Sequence, residues 1–464
     1  MLKVSDNLVK VSTMAGTYAY NSVFGGLTKL SAEDIMLLND GFIEDDSPKT
    51  ERFQKLVDKR FIVSEYDSDE AALTRLVEKY RAKIISGESI TKLLLMVTDR
   101  CMLNCKYCYI PDAPGHNTNV KHMDMDWATA KNAIDVFREI INQNGRRDIH
   151  IRFHGGEPIL NFSVIKKAIL YVEDLFLDCN VSFHTNSNGV VINDEIAKFL
   201  SAHNVHVEIS MDGVDSVHNM TRCYANGTGS FNQAMDAIHL LKKYNSNLKN
   251  VNLAVTLNRM NYNHLIPLVD LAVQEGLKEI EINTLLFEHP LDILDDIEAR
   301  VRCLIDVRKY GVEKGVRVSG KWLKLFERLK KPVLNYCGRM GQQLGVDCNG
   351  NVFLCTGYMK TFGRINQWKD ILQSEEYLSI CMRVLGRITS CKGCPIQGLC
   401  AGGCTASVVK AYGSIEACEE KECKFRQAMI AALIQNIHLI SSADVPIEDV
   451  DGSYYPVLSD MENM

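Results

Sequence analysis

The 464-residue sequence contains no apolar run that could cross a membrane, because no stretch of about 18 apolar residues is free of charge. Residues 1–12 lack the apolar core and the small-residue cleavage site of a signal peptide. An excess of positive charge is also absent, since the net charge is −6, whereas binding to a phosphate backbone needs a basic face. The sequence therefore predicts a cytoplasmic chain with neither a membrane nor a nucleic acid as a partner.

Cysteine is absent from residues 1–89, but 16 cysteines occur in the rest of the chain. A cytoplasmic protein rarely needs so many cysteines for packing, and disulfides are not expected in a reducing compartment. The remaining explanation is metal binding, and the spacing of the cysteines indicates the kind of site.

Residues 90–320 alternate between strand and helix patterns, as expected for a parallel sheet with helices outside it. Six strand–helix units rather than eight predict an α/β fold built as a partial, open (βα)6 barrel. Its catalytic residues should lie at the C-terminal ends of the strands. The predicted strands are Lys92–Val97, His150–Phe153, Val181–His184, Val205–Ser210, Val251–Val255 and Glu279–Asn283.

A smaller unit is predicted on each side of this barrel. In residues 1–89, a hairpin that turns at Gly16, a helix that opens at Ser31 and a helix over residues 68–85 predict a separate, winged-helix-like domain. Residues 321–440 lose the strand–helix alternation and contain closely spaced cysteines, which predicts a small fold held by metal. This region should end in a helix at Phe425–Ile440, followed by an acidic tail over residues 441–464.

The first cysteine cluster consists of Cys101, Cys105 and Cys108, directly after the first predicted strand. Three thiolates within eight residues cannot complete a four-coordinate site. They can hold three irons of a [4Fe-4S] cluster and leave the fourth iron open to a substrate or cofactor. A zinc site is the alternative, although zinc sites favour C-x2-C pairs and four ligands. The spacing therefore favours a catalytic iron–sulfur cluster.

The segment Cys101–Tyr109 resembles the signature of the radical S-adenosylmethionine (SAM) superfamily, including the aromatic Tyr107 before the third cysteine. The resemblance extends over about residues 90–320. It implies that Cys101, Cys105 and Cys108 are the catalytic cluster ligands and that the open iron binds SAM, with Tyr107 among the cofactor-binding residues. Reductive cleavage of SAM would then give methionine and a 5′-deoxyadenosyl radical, which abstracts hydrogen from a substrate.

The Gly155–Pro158 segment ends the second predicted strand and resembles the GGEP loop of the superfamily. Two glycines allow the backbone to approach a ligand closely. The resemblance implies that Gly155, Gly156 and Glu157 bind SAM, with the carboxylate accepting hydrogen bonds from the SAM ammonium group. An ordinary turn is the alternative for this segment taken alone.

Three further residues match SAM-binding positions of the superfamily. Ser210 resembles the serine of an S-x-D-G motif, and Arg222 resembles an arginine that reaches the SAM carboxylate. Asn186 resembles the asparagine of a T-N-G motif, but two residues separate it from Gly189, so this match is imperfect. The alternative for these positions is a strand-to-loop turn with a solvated arginine.

The C-terminal cysteines read C-x12-G-x4-C, then C-x2-C-x5-C-x3-C, and a final cysteine. This pattern resembles the SPASM domain, an iron–sulfur extension of many peptide- and protein-modifying radical SAM enzymes. A zinc ribbon is the alternative, but its second C-x2-C pair is absent. The resemblance implies two auxiliary [4Fe-4S] clusters: cluster I held by Cys337, Cys355 and Cys404, and cluster II held by Cys391, Cys394, Cys400 and Cys423, with Cys418 as the reserve for the last ligand.

Cys348 is a candidate fourth ligand for cluster I. Asn349-Gly350 predicts a two-residue hairpin turn in which Cys348 pairs with Asn351 and Leu344 pairs with Cys355. At about 3.3 Å per residue, Cys348 and Cys355 would then lie roughly 13 Å apart along the ladder. This separation is wide for two ligands of one cluster, so we expect cluster I to keep an open iron for a substrate thiolate.

Together these features predict an enzyme that carries three [4Fe-4S] clusters and SAM and modifies a ribosomally made precursor peptide by forming a thioether or a carbon–carbon crosslink. Residues 1–89 resemble, in their order of elements, a peptide-recognition domain that captures a leader peptide by strand addition. A low-potential electron donor, flavodoxin or ferredoxin, is the second expected partner.

Two alternatives stay open at this point. The first is an anaerobic sulfatase-maturing type of Cys/Ser dehydrogenase, in which an Asp acting as a base follows the Cys of G-x4-C. Thr356 occupies that position here, which counts against this alternative. The second is a non-catalytic iron–sulfur or zinc scaffold.

Overall fold

The computed structural model of the chain describes residues 2–39, 42–43, 50–64, 66–110, 122–246, 248–286, 289–293, 295–330 and 332–437. The predicted acidic tail at 441–464 and the last residues of the helix predicted at Phe425–Ile440 lie outside these ranges. Among the described helices, none combines the length and the apolar character that a membrane span requires.

The N-terminal region forms two small antiparallel sheets and three helices. The predicted hairpin is confirmed, with a two-residue turn that ends at Gly16, and Ser31 caps the first helix in a capping box with Asp34. One sheet has the order β5-β1-β6 and the other β2-β3-β4. The elements are β1 (Leu2–Val4), β2 (Leu8–Thr13), β3 (Gly16–Asn21), β4 (Gly25–Lys29), α1 (Ala32–Leu37), β5 (Phe42–Ile43), α2 (Glu51–Asp58), β6 (Ile62–Ser64) and α3 (Asp69–Ser86).

The N-terminal region packs against the C-terminal region instead of standing apart from it. Tyr20 of β3 is buried in one apolar cluster with Leu329 and Leu399. The backbone N–H of Gly398 donates to the carbonyl of Ser22 over 2.6 Å. The separate unit expected from the cysteine-free composition therefore shares a core with the rest of the chain.

The central region is a parallel sheet with helices between its strands, so the α/β class is confirmed. All six predicted strands are present, and the short β13 adds a seventh. The strands are β7 (Lys92–Thr98), β8 (Asp148–Gly155), β9 (Asn180–Ser187), β10 (His206–Ser210), β11 (Val251–Leu257), β12 (Glu279–Thr284) and β13 (Arg317–Ser319). The helices are α4 (Trp127–Asn144), α5 (Phe162–Leu175), α6 (Asp194–Ala202), α7 (Ser216–Asn219), α8 (Phe231–Tyr244), α9 (Ile266–Glu275), α10 (Ile297–Lys314) and α11 (Lys321–Glu327).

The two faces of this sheet differ in chemistry, as β8 illustrates. Ile149, Ile151 and Phe153 are fully buried in the core shared with the helices. The alternate residues His150 and Arg152 lie on the other face, because successive side chains of a strand point to opposite sides. At β8 this face is polar, and Arg152 lines the cavity described below.

The C-terminal region extends the same sheet. The strand β14 pairs in parallel with β7, and an antiparallel meander then gives the strand order β13-β12-β11-β10-β9-β8-β7-β14-β15-β16. The sheet thus has two parallel strands, β13 and β14, in addition to the six predicted. They have only three and four residues, which is too short for a periodic pattern to be visible in the sequence. The elements are α12 (Arg339–Gln342), β14 (Gln343–Val346), β15 (Asn351–Cys355), β16 (Tyr358–Arg364), α13 (Trp368–Gln373), α14 (Glu375–Cys381), α15 (Gln397–Cys400), α16 (Thr405–Tyr412) and α17 (Glu420–Gln435).

The predicted register of the β14–β15 hairpin is wrong by one residue. Val346 pairs with Val352 and Gly345 with Phe353, so Leu344 does not pair with Cys355. The reason is a longer turn: the side chain of Asp347 accepts hydrogen bonds from the N–H groups of Asn349 and Asn351. Cys348 therefore lies in the turn and not on a strand.

Candidate active site

The loop that carries Cys101, Cys105 and Cys108 follows β7 and is fixed by its backbone. The N–H of Asn104 donates to the carbonyl of Cys223 over 2.7 Å, and that of Lys106 to the carbonyl of Thr221 over 3.0 Å. The three thiols line one wall of a cavity of about 340 Å³. No group of His, Cys, Asp and Glu side chains in the described ranges is arranged to hold a single metal ion.

These three cysteines fit the ligand set of a [4Fe-4S] cluster. None of them forms a disulfide. Burial raises the pKa of Cys101 to about 11 and that of Cys105 to about 12. Because burial disfavours the charged thiolate forms, these side chains need a compensating cation when they ionise. Thiolates are soft donors, which suits iron.

Gly155 and Gly156 lie directly beside the cysteine loop. A Cβ atom added at Gly155 would be 2.2 Å from the carbonyl oxygen of Thr98, and one at Gly156 would be 2.3 Å from that of Arg100. The N–H of Glu157 donates to the same Arg100 carbonyl over 2.7 Å. The glycines are therefore required so that the end of β8 can lie against the cysteine loop.

The carboxylate of Glu157 is buried and already engaged by the protein. Its oxygens accept hydrogen bonds from the Ser187 hydroxyl at 2.9 Å, the Asn188 N–H at 2.7 Å and the Ile159 N–H at 3.2 Å. Burial raises the pKa of Glu157 to about 7 against the effect of these bonds. A carboxylate has about four acceptor sites, so one remains for a ligand in the cavity that Glu157 lines.

Asp212 organises the opposite side of the cysteine loop. Its side chain is fully buried, lies 3.1 Å from Nε of Arg222 and accepts hydrogen bonds from the hydroxyls of Tyr107 and Thr221. The guanidinium of Arg222 lies 5.5 Å from the centre of the Tyr107 ring. Two predicted SAM-binding residues, Tyr107 and Arg222, are thus held by one carboxylate to which the sequence reading gave no role.

Asn186 lines the cavity, but its amide group is used within the sheet. Its oxygen accepts a hydrogen bond from Arg152 at 2.7 Å, and its nitrogen donates to Glu208. Asn188 contacts the cysteine loop instead, since its side-chain nitrogen lies 3.6 Å from Sγ of Cys101. The sequence Ser187-Asn188-Gly189, a hydroxyl residue followed by Asn-Gly, makes Asn188 a second candidate for the asparagine of the T-N-G motif.

A second set of cysteines reaches the same cavity. Cys337, Cys355 and Cys404 all line it, together with Ser210. Burial first, and then the neighbouring thiols of Cys337 and Cys404, raise the pKa of Cys355 to about 12. The chain therefore brings the ligands predicted for cluster I together around a cavity that also holds the first cysteine cluster.

Cys348 does not belong to this set. Its thiol donates a hydrogen bond to the carbonyl of Met96 over 3.1 Å. It does not line the cavity onto which Cys355 opens. The turn geometry differs from the one expected, but the inference that Cys348 lies away from Cys355 is unaffected.

The ligands predicted for cluster II lie around the start of α17. Sγ of Cys400 accepts a hydrogen bond from Arg426 over 3.7 Å, and Sγ of Cys394 accepts one from Gln427 over 3.5 Å. Cys391 lies 3.4 Å, sulfur to sulfur, from Cys418. The reserve candidate is therefore among the thiols of this group, and its hydrogen bonds to Cys391 and Cys423 lower the pKa of Cys418.

Comparison with known proteins identifies two families in this chain. The radical SAM superfamily matches residues 95–272, and SPASM, an iron–sulfur cluster-binding domain, matches residues 337–395. A radical SAM cyclopropyl synthase, TigE, from Paramaledivibacter caminithermalis is 27% identical over 92% of this chain and 94% of its own length. A cysteine-type anaerobic sulfatase-maturating enzyme from Clostridium novyi is 24% identical over 68% of this chain and 88% of its own.

Solved structures show the same fold. The anSMEcpe enzyme with bound AdoMet superposes with a TM-score of 0.64 at 21% identity, over 78% of this chain and 97% of its own. Streptococcus suis SuiB bound to the precursor peptide SuiA superposes with a TM-score of 0.52 at 13% identity, over 91% of this chain and all of its own. With its cysteine loop, its parallel sheet and its C-terminal cysteines, the chain belongs to the radical SAM superfamily of enzymes and carries a SPASM iron–sulfur domain.

Proposed function

We propose that the protein modifies a precursor peptide by hydrogen abstraction and forms a carbon–carbon or thioether crosslink. The observation that carries the proposal is the shared cavity, onto which Cys101, Cys105 and Cys108 open together with Cys337, Cys355 and Cys404. When bound there, the [4Fe-4S] cluster and SAM supply a 5′-deoxyadenosyl radical. A peptide side chain in this cavity would lie between the site of hydrogen abstraction and cluster I.

The residues around the cysteine loop have separate tasks in this proposal. Arg222, kept in place by the buried Asp212, pairs with the carboxylate of SAM. Glu157 accepts a hydrogen bond from the ammonium group through the acceptor site that Ser187 and Asn188 leave. Gly155 and Gly156 let this edge of the sheet approach the cofactor.

The carbon–carbon crosslink is the better supported of the two products. The relative that matches this chain over 92% of its length is described as a cyclopropyl synthase, and a cyclopropyl ring is closed by a carbon–carbon bond. A thioether would require a cysteine in the peptide, held by an open iron of cluster I. Cys348 lies away from this set, which supports the idea that cluster I has such an open iron.

The sulfatase-maturing alternative is weakened by the environment of Thr356. That residue occupies the position of the catalytic Asp, and its hydroxyl lies 3.0 Å from the hydroxyl of Tyr109. A hydroxyl that is hydrogen-bonded to another hydroxyl makes a structural contact and cannot act as the base that a carboxylate would be. We infer that the protein does not oxidise a Cys or Ser side chain to an aldehyde.

The strand β2 of the N-terminal region is a candidate for leader binding. The strand β2 lies at the end of its sheet, and within the described ranges no strand pairs with its outer side. The opposite edge strand, β4, is engaged, since the N–H of Gly26 donates to the carbonyl of Leu329 over 2.7 Å. We propose that a leader peptide adds to β2, as extended peptides do at free sheet edges.

The test is anaerobic reconstitution with iron and sulfide, followed by SAM, dithionite and the peptide encoded beside the gene. Formation of 5′-deoxyadenosine and loss of two hydrogens from the peptide are expected. Alkylation of the product separates the candidates, because a thioether consumes a cysteine thiol whereas a carbon–carbon bond leaves it reactive. A hydrazine-reactive aldehyde on the peptide would instead establish the dehydrogenase activity. If no 5′-deoxyadenosine forms, the non-catalytic scaffold is the remaining alternative.

A further inference from the structure

A buried guanidinium lies against the thiols predicted for cluster II. Arg426, on α17, is only 6% exposed, and its Nη1 donates to Sγ of Cys400 over 3.7 Å. A hydrogen bond to a cluster sulfur and a nearby positive charge both influence the reduction potential of an iron–sulfur cluster. None of the roles derived above for SAM or for the cavity involves this arginine.

Arg426 belongs to a buried group of charges. Nη2 of Arg426 lies 2.7 Å from Glu422, and the same carboxylate lies 2.5 Å from Arg300, whose side chain is fully buried. Two arginines therefore share one carboxylate, and the carboxyl group of Glu419 lies near both of them. Within this group it is the guanidinium of Arg426 that contacts Sγ of Cys400, so its positive charge lies directly beside that sulfur.

A second guanidinium without a carboxylate partner approaches from the other side. Arg383 is 3% exposed and donates only to carbonyls: those of Gly402 and Gly403 before Cys404, and those of Ile415 and Ala417 before Cys418. In the described part of the chain, no carboxylate lies within ion-pair distance of it. Two buried guanidinium groups, those of Arg426 and Arg383, therefore lie close to the thiols predicted for cluster II.

We propose that Arg426 raises the reduction potential of cluster II and is its principal electrostatic tuning residue. The inference rests on the ligand set proposed above, of which Cys400 is a member under either choice of the last cysteine. Reduction by an external donor adds one electron, and so one negative charge, to the cluster. A buried positive charge stabilises the reduced form more than the oxidised form, because the reduced form carries the larger negative charge.

The experiment is a redox titration of the reconstituted full-length protein with dithionite, followed by electron paramagnetic resonance. The signal that is missing from a Cys394→Ala variant belongs to cluster II. In Arg426→Gln, the ratio of reduced to oxidised cluster II at a fixed potential should fall about tenfold or more, which is a shift of about −59 mV per tenfold. Arg426→Lys keeps the charge and should stay close to the parent.

Two further variants separate charge from packing. Glu422→Gln removes the negative charge between the two arginines, so the potential of cluster II should move in the opposite, positive direction. Gln427→Ala is the matched control, because Gln427 is the adjacent residue and its exposed, neutral amide also donates to a sulfur of this set, that of Cys394 at 3.5 Å. In Gln427→Ala, the potential of cluster II should change by less than about a third of the shift in Arg426→Gln.

The opposite signs make the proposal falsifiable even if one variant loses iron. An unchanged potential in Arg426→Gln with full iron content would overturn it, as would shifts of the same sign in Arg426→Gln and Glu422→Gln. If Arg426→Gln does not retain cluster II, the direction of the shift in Glu422→Gln decides. Full iron content in Cys394→Ala would overturn the ligand set and this inference with it, whereas the peptide-modifying function would be untouched.

Discussion

The carboxylate of Asp212, which has no exposed surface, lies 3.1 Å from the guanidinium of Arg222 and so fixes an arginine that lines the same cavity as the cysteine loop. The same carboxylate accepts a hydrogen bond from the hydroxyl of Tyr107, within that loop. The cysteine loop and the candidate SAM-carboxylate site are therefore connected through a single side chain. Sequence motifs identify Tyr107 and Arg222, but only the folded chain shows what joins them.

Asp212→Asn should weaken SAM binding by at least about tenfold, because the neutral amide no longer pairs with Arg222 and so no longer holds its guanidinium in place at the cavity. Iron content should stay at the level of the parent, since no cysteine is touched. The measurement is a titration of the reduced protein with SAM, followed by the change in the electron paramagnetic resonance signal. Asp215→Asn, at an exposed position three residues away, is the control and should bind SAM as the parent does. Equal affinities in the two variants would refute the positioning role.

Replacing Cys101, Cys105 or Cys108 by Ala should abolish SAM cleavage and remove about four irons, because three ligands are the minimum for this type of cluster. The auxiliary iron should remain. Cys223→Ala is the matched control: that thiol is buried beside the same loop, yet it lies 3.9 Å from the carbonyl of Asn104 and does not line the cavity. Deoxyadenosine formation at the parental rate in a triad variant would show that the assignment is incorrect.

The core of this fold follows from the sequence to a large extent. All six long strands of the parallel sheet were predicted, since their apolar runs are bounded by helical segments, and the superfamily was identified from nine residues around the cysteine loop. The short strands β13 and β14 are not predicted, because three or four residues show no periodicity. The β14–β15 register was wrong because Asp347 accepts two backbone hydrogen bonds and lengthens the turn, an interaction that the Asn-Gly signal does not encode.

Residues that act through contacts between distant segments were the hardest to predict. Asp212 stood in a recognised motif, but its partners come from residues 107, 221 and 222, and burial alone makes its charge decisive. Asn186 matched the T-N-G motif because Thr185 precedes it, whereas Asn188 is the residue that directly precedes Gly189. Arg426 carried no motif, and its role depends on the position of Cys400, which lies 26 residues earlier in the chain.

Cys348→Ala should retain the full iron content, whereas Cys355→Ala should lose about one cluster's iron. The Cys348 thiol donates a hydrogen bond to the carbonyl of Met96, while Cys355 lines the cavity with Cys337 and Cys404. Iron and sulfide analysis after reconstitution is the measurement, and the absorbance change on adding precursor peptide reports the open iron. Should Cys348→Ala lose iron to the same extent as Cys355→Ala, cluster I would have four protein ligands and no open site.

Five thiols lie where cluster II is proposed, so a cluster with four ligands would leave one of them unused. Cys418 lies 3.4 Å from Cys391, and Cys423 belongs to α17. We expect Cys423→Ala to lose about four irons and Cys418→Ala to keep them, because a ligand on a helix is already ordered whereas one on a loop must be ordered by binding. Mössbauer or iron analysis of both single variants and of the double variant distinguishes the two. The reverse pattern would make Cys418 the ligand.

The last prediction concerns the edge strand β2. Thr13 and Gly16 close the two-residue turn, so the N–H groups of Ser12 and Lys10 point away from β3, toward the free side of the sheet. Deleting the N-terminal region is a poor test of leader binding, since Tyr20 shares a core with Leu329 and Leu399, and its loss would expose that core. A single substitution at the edge avoids this problem.

Ser12→Pro removes one outward-facing donor and places a ring where an added strand would pair, while Pro is tolerated on edge strands. We expect at least tenfold weaker binding of the full-length precursor and slower modification of it, with SAM cleavage in the absence of peptide unchanged. Ser12→Ala, at the same exposed position, keeps the N–H and should bind the precursor as the parent does. Binding is measured by fluorescence anisotropy of a labelled precursor. Equal affinity of the Pro and Ala variants would exclude β2 as the docking strand.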